Sequence, residues 1–358
     1  ININMFFLVD LDQFYGIEIG EFPSHIAQVA MWLIVRQMNM LVSEKFGEYI
    51  PLIPLLKSAI IVNANALRLD WKSIIKPLEG ETERYSFNYI IGNPPFVGSR
   101  IMSKEQKEEV KEIFSDSKGA GELDYVTCWY KKAAEYISTN PQTNSAFVST
   151  NSITQGNQIG FLWPNIFSYD IQITFAHRTF KWSNEAKGVA AVYVVIIGFG
   201  KPSTKVKRLF LYDKVDGEPQ MALVKNINPY LVEGNNIIVS SRQKPICNVP
   251  DMNFGNMPAE GGQYLFTEEE KEQFLKEEPG ATSYFKELIS AHEFLNAKTR
   301  WCLWLIGATP AELRSSKLIM QRLEIVAEAR ATSPTEAARE KAKTPAVFFS
   351  IRQPKSKW

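Results

Sequence analysis

Short apolar runs alternate with longer stretches in which apolar residues recur every three or four positions, and this rhythm holds to about residue 200. Period-two or unbroken β-branched runs read as strands, and period-3.6 stretches read as helices. The pattern predicts strands over 14–19, 58–62, 87–91, 146–149, 171–176 and 189–199, and helices over 23–40, 104–114 and 124–137. The last of these helices is approached through the loop Gly119-Ala120-Gly121. Strands and helices in alternation predict an α/β domain of Rossmann-like type, a mostly parallel sheet with helices on both faces. The short segment between the last two strands contains Asn184-Glu185-Ala186-Lys187-Gly188. That is too short for a helical crossover, so the two are expected to pair antiparallel. Beyond Gly200 the texture changes. Residues 201–265 are rich in Pro, Asn and Gly, with short strand-like runs such as 237–240, and 268–330 read as mostly helical, with Thr267 as the cap of a Glu-rich first turn. Two domains follow from this change, 1–205 and a second, α+β portion over 206–358.

Composition adds little to that picture. The chain has 358 residues, 45% hydrophobic and 22% charged, with a net charge of +1. A disordered chain is excluded, and any surface for nucleic acid has to concentrate its positive charge locally. Charge does segregate: 253–296 is acidic and 311–358 is basic. Three cysteines, Cys128, Cys247 and Cys302, stand far apart without a CxxC pair, which fits a reducing cytoplasm and argues against a zinc site. No unbroken apolar stretch approaches the roughly 18 residues of a membrane span, so no membrane is expected as a partner. The chain opens on Ile1 without a basic signal segment, and it reads as starting inside a larger polypeptide.

The candidate chemistry lies where strands end. The run 87–91 stops at Gly92-Asn93-Pro94-Pro95-Phe96. Neither proline has an N–H for a ladder, so the chain has to leave the sheet there and present an amide, rigid carbonyls and an aromatic ring at the strand's carboxyl end. In open α/β sheets ligands bind at that edge. Asn93 Oδ1 and the Pro94 carbonyl form an acceptor pair suited to the two N–H bonds of an exocyclic amine, and Phe96 can stack on a base flipped out of a duplex. At the end of 14–19, Glu18 suits the ribose hydroxyls of a nucleoside cofactor, with Ile17 or Ile19 against the adenine face; a capping or surface Glu is the other reading. After 58–62, Asn65 in Asn63-Ala64-Asn65-Ala66 can accept from a cofactor's adenine amine or simply close an Asn-rich turn. Asn151, Thr154 and Gln155, at the end of the strand over 146–149, make a polar set for the target base or the DNA backbone, or else a hydrogen-bonded loop leading into a helix. Arg178 and Lys181 after 171–176, with Arg314, Arg322 and Arg330 in the basic tail, are the candidates for phosphate contacts. Phe180 and Trp182 read as core, and Trp301 and Trp304 as part of a helix packed on the second domain's core.

In order along the chain stand Phe14-Tyr15-Gly16-Ile17-Glu18, Asn65-Ala66-Leu67-Arg68 with Asp70-Trp71, Gly92-Asn93-Pro94-Pro95-Phe96, Leu123-Asp124-Tyr125-Val126, Ser149-Thr150-Asn151-Ser152-Ile153-Thr154-Gln155-Gly156 and Phe175-Ala176-His177-Arg178-Thr179-Phe180-Lys181-Trp182. Later come Ile227-Asn228-Pro229-Tyr230-Leu231 and Arg300-Trp301-Cys302-Leu303-Trp304-Leu305. Together these segments resemble the MmeI-like (type IIL, type IIG) fused restriction–modification enzymes over nearly the whole chain. The resemblance implies a class I S-adenosylmethionine (SAM)-dependent methyltransferase domain joined to part of a target-recognition domain. It further implies methyl transfer to adenine N6 on double-stranded DNA, with Asn93, Pro94, Pro95 and Phe96 as catalytic residues and Glu18, Ile19, Asn65, Ala66 and Asn93 against SAM, and no metal. One departure stands out. In the family a glycine-rich SAM loop on strand one precedes the Phe-Tyr-Gly-Ile-Glu motif, and this chain carries no equivalent, nor a nuclease motif before it. The missing strand is expected to leave an exposed apolar edge, to weaken SAM binding by this chain, and to make the rest of the parent polypeptide a partner. Two rivals remain open: an amine methyltransferase acting on RNA or a protein glutamine, and a catalytically silent DNA-binding module.

Overall fold

The computed structural model describes residues 9–47, 58–75, 85–115, 119–182, 192–242, 244–249 and 254–353. The chain forms two compact units, 1–243 and 244–358.

The first unit begins with β1 (Tyr15–Glu18), the long α1 (Glu21–Phe46) and β2 (Ile60–Asn63). These are followed by β3 (Tyr89–Gly92), α2 (Lys104–Ile113), α3 (Thr127–Thr139), β4 (Asn144–Thr150), α4 (Gly156–Phe167), β5 (Gln172–Trp182), β6 (Val192–Gly200), β7 (Lys207–Leu211) and β8 (Gln220–Val224). β1 and β2 pair parallel as a separate two-stranded sheet, and the other six strands form a second sheet in the order β3-β4-β6-β5-β7-β8. Within it β3, β4, β5 and β7 run one way and β6 and β8 the other, so the α/β class stands. β5 and β6 are antiparallel, as expected from their short connection; that connection, 183–191, lies outside the described residues. β7 and β8 were not foreseen, and they extend the sheet past residue 205. The strand-like run 237–240 forms no strand.

Aromatic packing holds the sheet to α3 and α4. Tyr130 stacks on Phe199 at 5.3 Å and meets Phe147 edge-on at the same distance, and all three are buried. The buried polar ends are satisfied: Tyr130 OH bonds Ser149 Oγ at 2.8 Å, and Trp163 Nε1 donates to the Ile153 carbonyl at 3.0 Å. Gly198 in β6 is required by sterics, since a Cβ there would lie 2.1 Å from the ring of Phe175. Local signals start α2, where Ser103 and Gln106 form a capping box, and end α1, where Gly47 adopts φ +70°.

An exposed apolar edge, expected from the missing strand, is found at 87–91. β3 pairs only with β4, among the described residues, and is an edge strand; Tyr89 is 76% and Ile91 79% exposed. β1 likewise pairs, among the described residues, only with β2. The two edges lie near one another, with Tyr15 of β1 5.3 Å from Phe87 beside β3. α1 packs on the β1–β2 pair; Ala27, Met31, Trp32 and Val35 are half-buried, while Phe22, Ile26, Leu33 and Met38 stay exposed. No unbroken apolar run in the sequence is long enough for a span, yet α1 has the length and composition of a helix able to cross a membrane.

The second unit carries β9 (Leu265–Phe266), α5 (Glu268–Glu277), β10 (Phe285–Glu287), α6 (Ala291–Asn296), β11 (Trp301–Leu303), α7 (Pro310–Ser315), α8 (Lys317–Ala331) and α9 (Glu336–Glu340). Thr267 caps α5 as expected, in a capping box with Glu270. The three strands form an antiparallel sheet in the order β10-β11-β9. Trp301 therefore lies on a strand and not on the expected helix. Its neighbours Cys302 and Leu303 enter a core with Tyr264, Phe266, Phe274, Ile319, Leu323 and Phe348.

Candidate active site at the sheet edge

The carboxyl ends of β1, β2, β3 and β4 carry nearly every expected site segment of the first unit. β3 ends at Gly92, and Asn93-Pro94-Pro95-Phe96 leaves the sheet without regular structure. Asn93 is exposed, and its side chain makes no hydrogen bond among the described residues. Pro94 is buried and Phe96 half-buried. A rigid, partly buried turn thus carries an uncommitted amide, the arrangement that an incoming exocyclic amine needs.

The loop is held by groups downstream. Val97 N–H donates to the Pro95 carbonyl at 3.2 Å, and the Val97 carbonyl accepts from Tyr125 N–H at 2.9 Å. Asp124, 8% exposed, accepts Ser99 N–H at Oδ1 at 3.1 Å. Its Oδ2 accepts from the Ser152 hydroxyl and, at 3.5 Å, from that of Thr150, both at the end of β4. Gln158 Oε1 accepts the Asp124 N–H at 3.1 Å. Asp124 was quoted in the sequence only as part of a motif, and nothing local distinguishes a buried acceptor from a surface acid.

On the cofactor side Glu18 ends β1, half-exposed. Its Oε1 accepts Gly20 N–H at 3.2 Å, and its Oε2 accepts no hydrogen bond among the described residues. Asn63 Nδ2 donates to the carbonyls of Glu18 and Ile19, both at 3.0 Å, which locks the end of β1 to the end of β2. Ile19 is 72% exposed beside it. A free carboxylate oxygen beside an exposed apolar side chain fits a nucleoside. Asn65 departs from expectation. Its Oδ1 accepts Leu67 N–H at 2.9 Å, closing an Asx turn, and its Nδ2 donates to Glu109 at 2.7 Å. The turn reading of Asn65 is the one the geometry supports. The Ala66 carbonyl accepts from Trp71 Nε1 at 2.8 Å, and Lys132 of α3 donates to the Leu67 and Leu69 carbonyls, so this loop is fixed by its own surroundings.

The expected DNA-contacting residues divide. Gln155, Arg178, Lys181 and Arg314 are exposed and Asn151 is half-buried. Thr154 is 7% exposed and its hydroxyl donates to the Asn151 carbonyl, so it closes a turn and does not face DNA. Arg322 is half-buried, donates to the Gln263 carbonyl at 2.6 Å and lies over the ring of Phe266 at 4.5 Å. Arg330 is 2% exposed and donates to the carbonyls of Pro258, Ala259, Lys341, Thr344 and Val347. Both arginines brace the second unit and are withdrawn from the phosphate candidates. Phe180 and Trp182 are not core either: Phe180 is half-buried and stacks on Tyr212 at 5.1 Å, and Trp182 is 36% exposed. His177 stacks on Phe210 at 4.0 Å and bonds Tyr212 OH through Nδ1 at 2.8 Å, and burial pushes its pKa down.

Comparison with known proteins bears on the whole chain. The family model described as the MmeI DNA-methyltransferase domain matches residues 2–212, and the MmeI target recognition domain matches 233–358. DNA methyltransferase A of Bacillus subtilis (strain 168) is 42% identical over 341 residues, 95% of this chain and 38% of that protein. A solved structure of the type IIL restriction–modification enzyme MmeI in complex with DNA is 47% identical with a TM-score of 0.84, covering 99% of this chain and 46% of that one. The chain therefore spans less than half the length of these relatives.

Proposed function

The chain belongs to the MmeI family, and from that premise we propose that it supplies the target half of a SAM-dependent adenine-N6 DNA methyltransferase of a restriction–modification system. The observation that carries this reading is the uncommitted Asn93 amide on the buried Pro94 turn at the carboxyl end of β3. The substrate is a double-stranded DNA whose target adenine has left the stack. Its N6–H bonds point at Asn93 Oδ1 and the Pro94 carbonyl, while Phe96 covers the base face. These acceptors hold the amine as its nitrogen moves from planar to tetrahedral, and they stabilise the positive charge that develops there. When bound, SAM supplies an electrophilic methyl on a sulfonium. That methyl would be open to in-line displacement by N6, and Asn93 Oδ1 and the Pro94 carbonyl would pass the surplus N6 proton on to water. Glu18 would hold the ribose and Ile19 would cover the adenine of SAM.

The exposed, adjacent edges of β1 and β3 support a further element of this reading. A central strand bearing the glycine-rich SAM loop, from a part of the parent polypeptide outside this chain, would pair with both and complete the cofactor site. The test is methyl transfer from labelled SAM to adenine-containing duplexes by the full-length protein. Asn93→Ala is expected to abolish it. Unchanged methylation in that variant, or methylation of RNA or protein instead of DNA, would overturn the assignment.

A further inference from the structure

Two adjacent buried residues reach in opposite directions. Asp124 and Tyr125 lie just before α3, 8% and 5% exposed. Asp124 grips the target side: Ser99 N–H, three residues beyond Phe96, and the hydroxyls of Thr150 and Ser152 at the end of β4. Tyr125 adds its own N–H to the Val97 carbonyl. Its ring points to the other half of the site. Tyr125 OH donates to Glu109 Oε2, and Glu109, 5% exposed on α2, accepts through Oε1 from Asn65 Nδ2 and Arg68 Nε, each at 2.7 Å. Those two residues belong to the loop that follows β2. The cofactor-side loop and the target-side loop thus meet at a two-residue joint through a single buried carboxylate. Burial and the Glu109 bond push the Tyr125 pKa up, so the phenol stays a donor at every physiological pH.

Stability alone does not call for this layout. The loop after β2 is already fixed by its Asx turn, by Trp71 and by Lys132, and α2 already has its own cap. The Tyr125–Glu109 bond adds a path from the target-side loop to the segment that follows β2, which Asn63 ties to the end of β1 where Glu18 and Ile19 would meet the cofactor. A shift of either loop has to move the joint, because buried donors and acceptors cannot be left unpaired cheaply.

We propose that Asp124 and Tyr125, with Glu109, are positioning residues that couple the cofactor loop to the Asn93-Pro94-Pro95-Phe96 loop, so that a bound cofactor raises affinity for the flipped target base and the reverse. The inference rests on the methyltransferase reading above. Its test is a binding cycle on the full-length protein, with S-adenosylhomocysteine as an unreactive occupant and a duplex carrying 2-aminopurine at the target position. DNA affinity and base-flip fluorescence are measured with and without the occupant, giving a coupling factor. In wild type that factor is expected to exceed one. In Tyr125→Phe, which removes one hydroxyl, and in Glu109→Gln, it is expected to fall at least about fivefold or to unity, with each ligand's affinity measured separately changing little. Asp124→Asn acts on the other arm and is expected to give the same loss, so the proposal does not hang on one variant's folding. A wild-type factor of one, or a factor unchanged in folded Tyr125→Phe and Asp124→Asn, would overturn it. A lowered Tm with coupling intact would do the same, by making the joint merely structural. Failure here with adenine methylation intact leaves the function standing, whereas absence of methylation in wild type removes the function itself.

Discussion

Arg330 offers the sharpest separation between a role in binding and a role in folding. Replacing it with alanine removes a guanidinium that serves five backbone carbonyls in three segments: 258–259, before β9; 341–344; and Val347, beside buried Phe348. Each hydrogen bond to a charged donor contributes about 1.5–3 kcal/mol net, and bonds to one group do not add. With some carbonyls regaining water after local fraying, a total loss of about 3–5 kcal/mol follows. That is a large part of the ~5–15 kcal/mol that holds a domain folded. Arg330→Lys makes the distinction. Lysine keeps the charge but offers three donors from a point instead of a planar fork, so most of the loss should remain. A phosphate contact would tolerate that change. Hydrogen exchange as a function of urea, read by mass spectrometry on peptides from α8 and from 341–350, measures the local stability in the full chain. Both variants within about 0.5 kcal/mol of wild type, together with a salt slope of DNA binding lower by about 0.9 in the alanine variant, would refute the structural role and restore the phosphate one.

Arg178 and Lys181, exposed on β5, are expected to behave oppositely: alanine at both should lower the salt slope of DNA binding by about 2 with stability unchanged, and titration of the affinity against salt checks it. His177 has its pKa depressed by burial between Phe210 and Tyr212, so the folded state disfavours its charged form. Its contribution is full above the unfolded value of about 6.5 and is lost as pH falls toward the folded pKa. Tm profiles between pH 5 and 8 should accordingly fall less steeply toward acid in His177→Gln than in wild type, and parallel profiles would contradict this. The chain by itself, with β1 and β3 each lacking a partner on one side among the described residues, is expected to bind SAM more weakly than micromolar; calorimetry giving a micromolar Kd would exclude the need for a strand between them.

How far these features could be read in advance depends on whether the deciding contact is periodic or remote. Apart from α4, foreseen only as a helix at the end of a loop, the strands and helices up to residue 200 were legible from the period of their apolar residues. β11 was not: Trp301–Leu303 lies in an apolar run too short to show any period, and β7 reads as mixed because its first residue, Lys207, is buried with its amine on Asn226. Asn93 was legible because two prolines force the turn whatever surrounds it. The exposure of Tyr89 and Ile91 was legible only through the resemblance, since an apolar strand looks the same beside a neighbour or beside none. The roles of Asp124, Tyr125 and Glu109 depend on partners far away in sequence, and no spacing rule reaches them. The arginines are the instructive case. Ile319, Leu323, Val326 and Arg330 recur at the spacing of one helical face, and all four are buried. Reading α8 by face would have assigned Arg330 to the core, because a cation that continues an apolar stripe has to satisfy its donors inside the fold, whereas Arg314 belongs to no such stripe. Residue type marked a basic tail; position on the helix decided which of its charges can leave the protein to meet DNA.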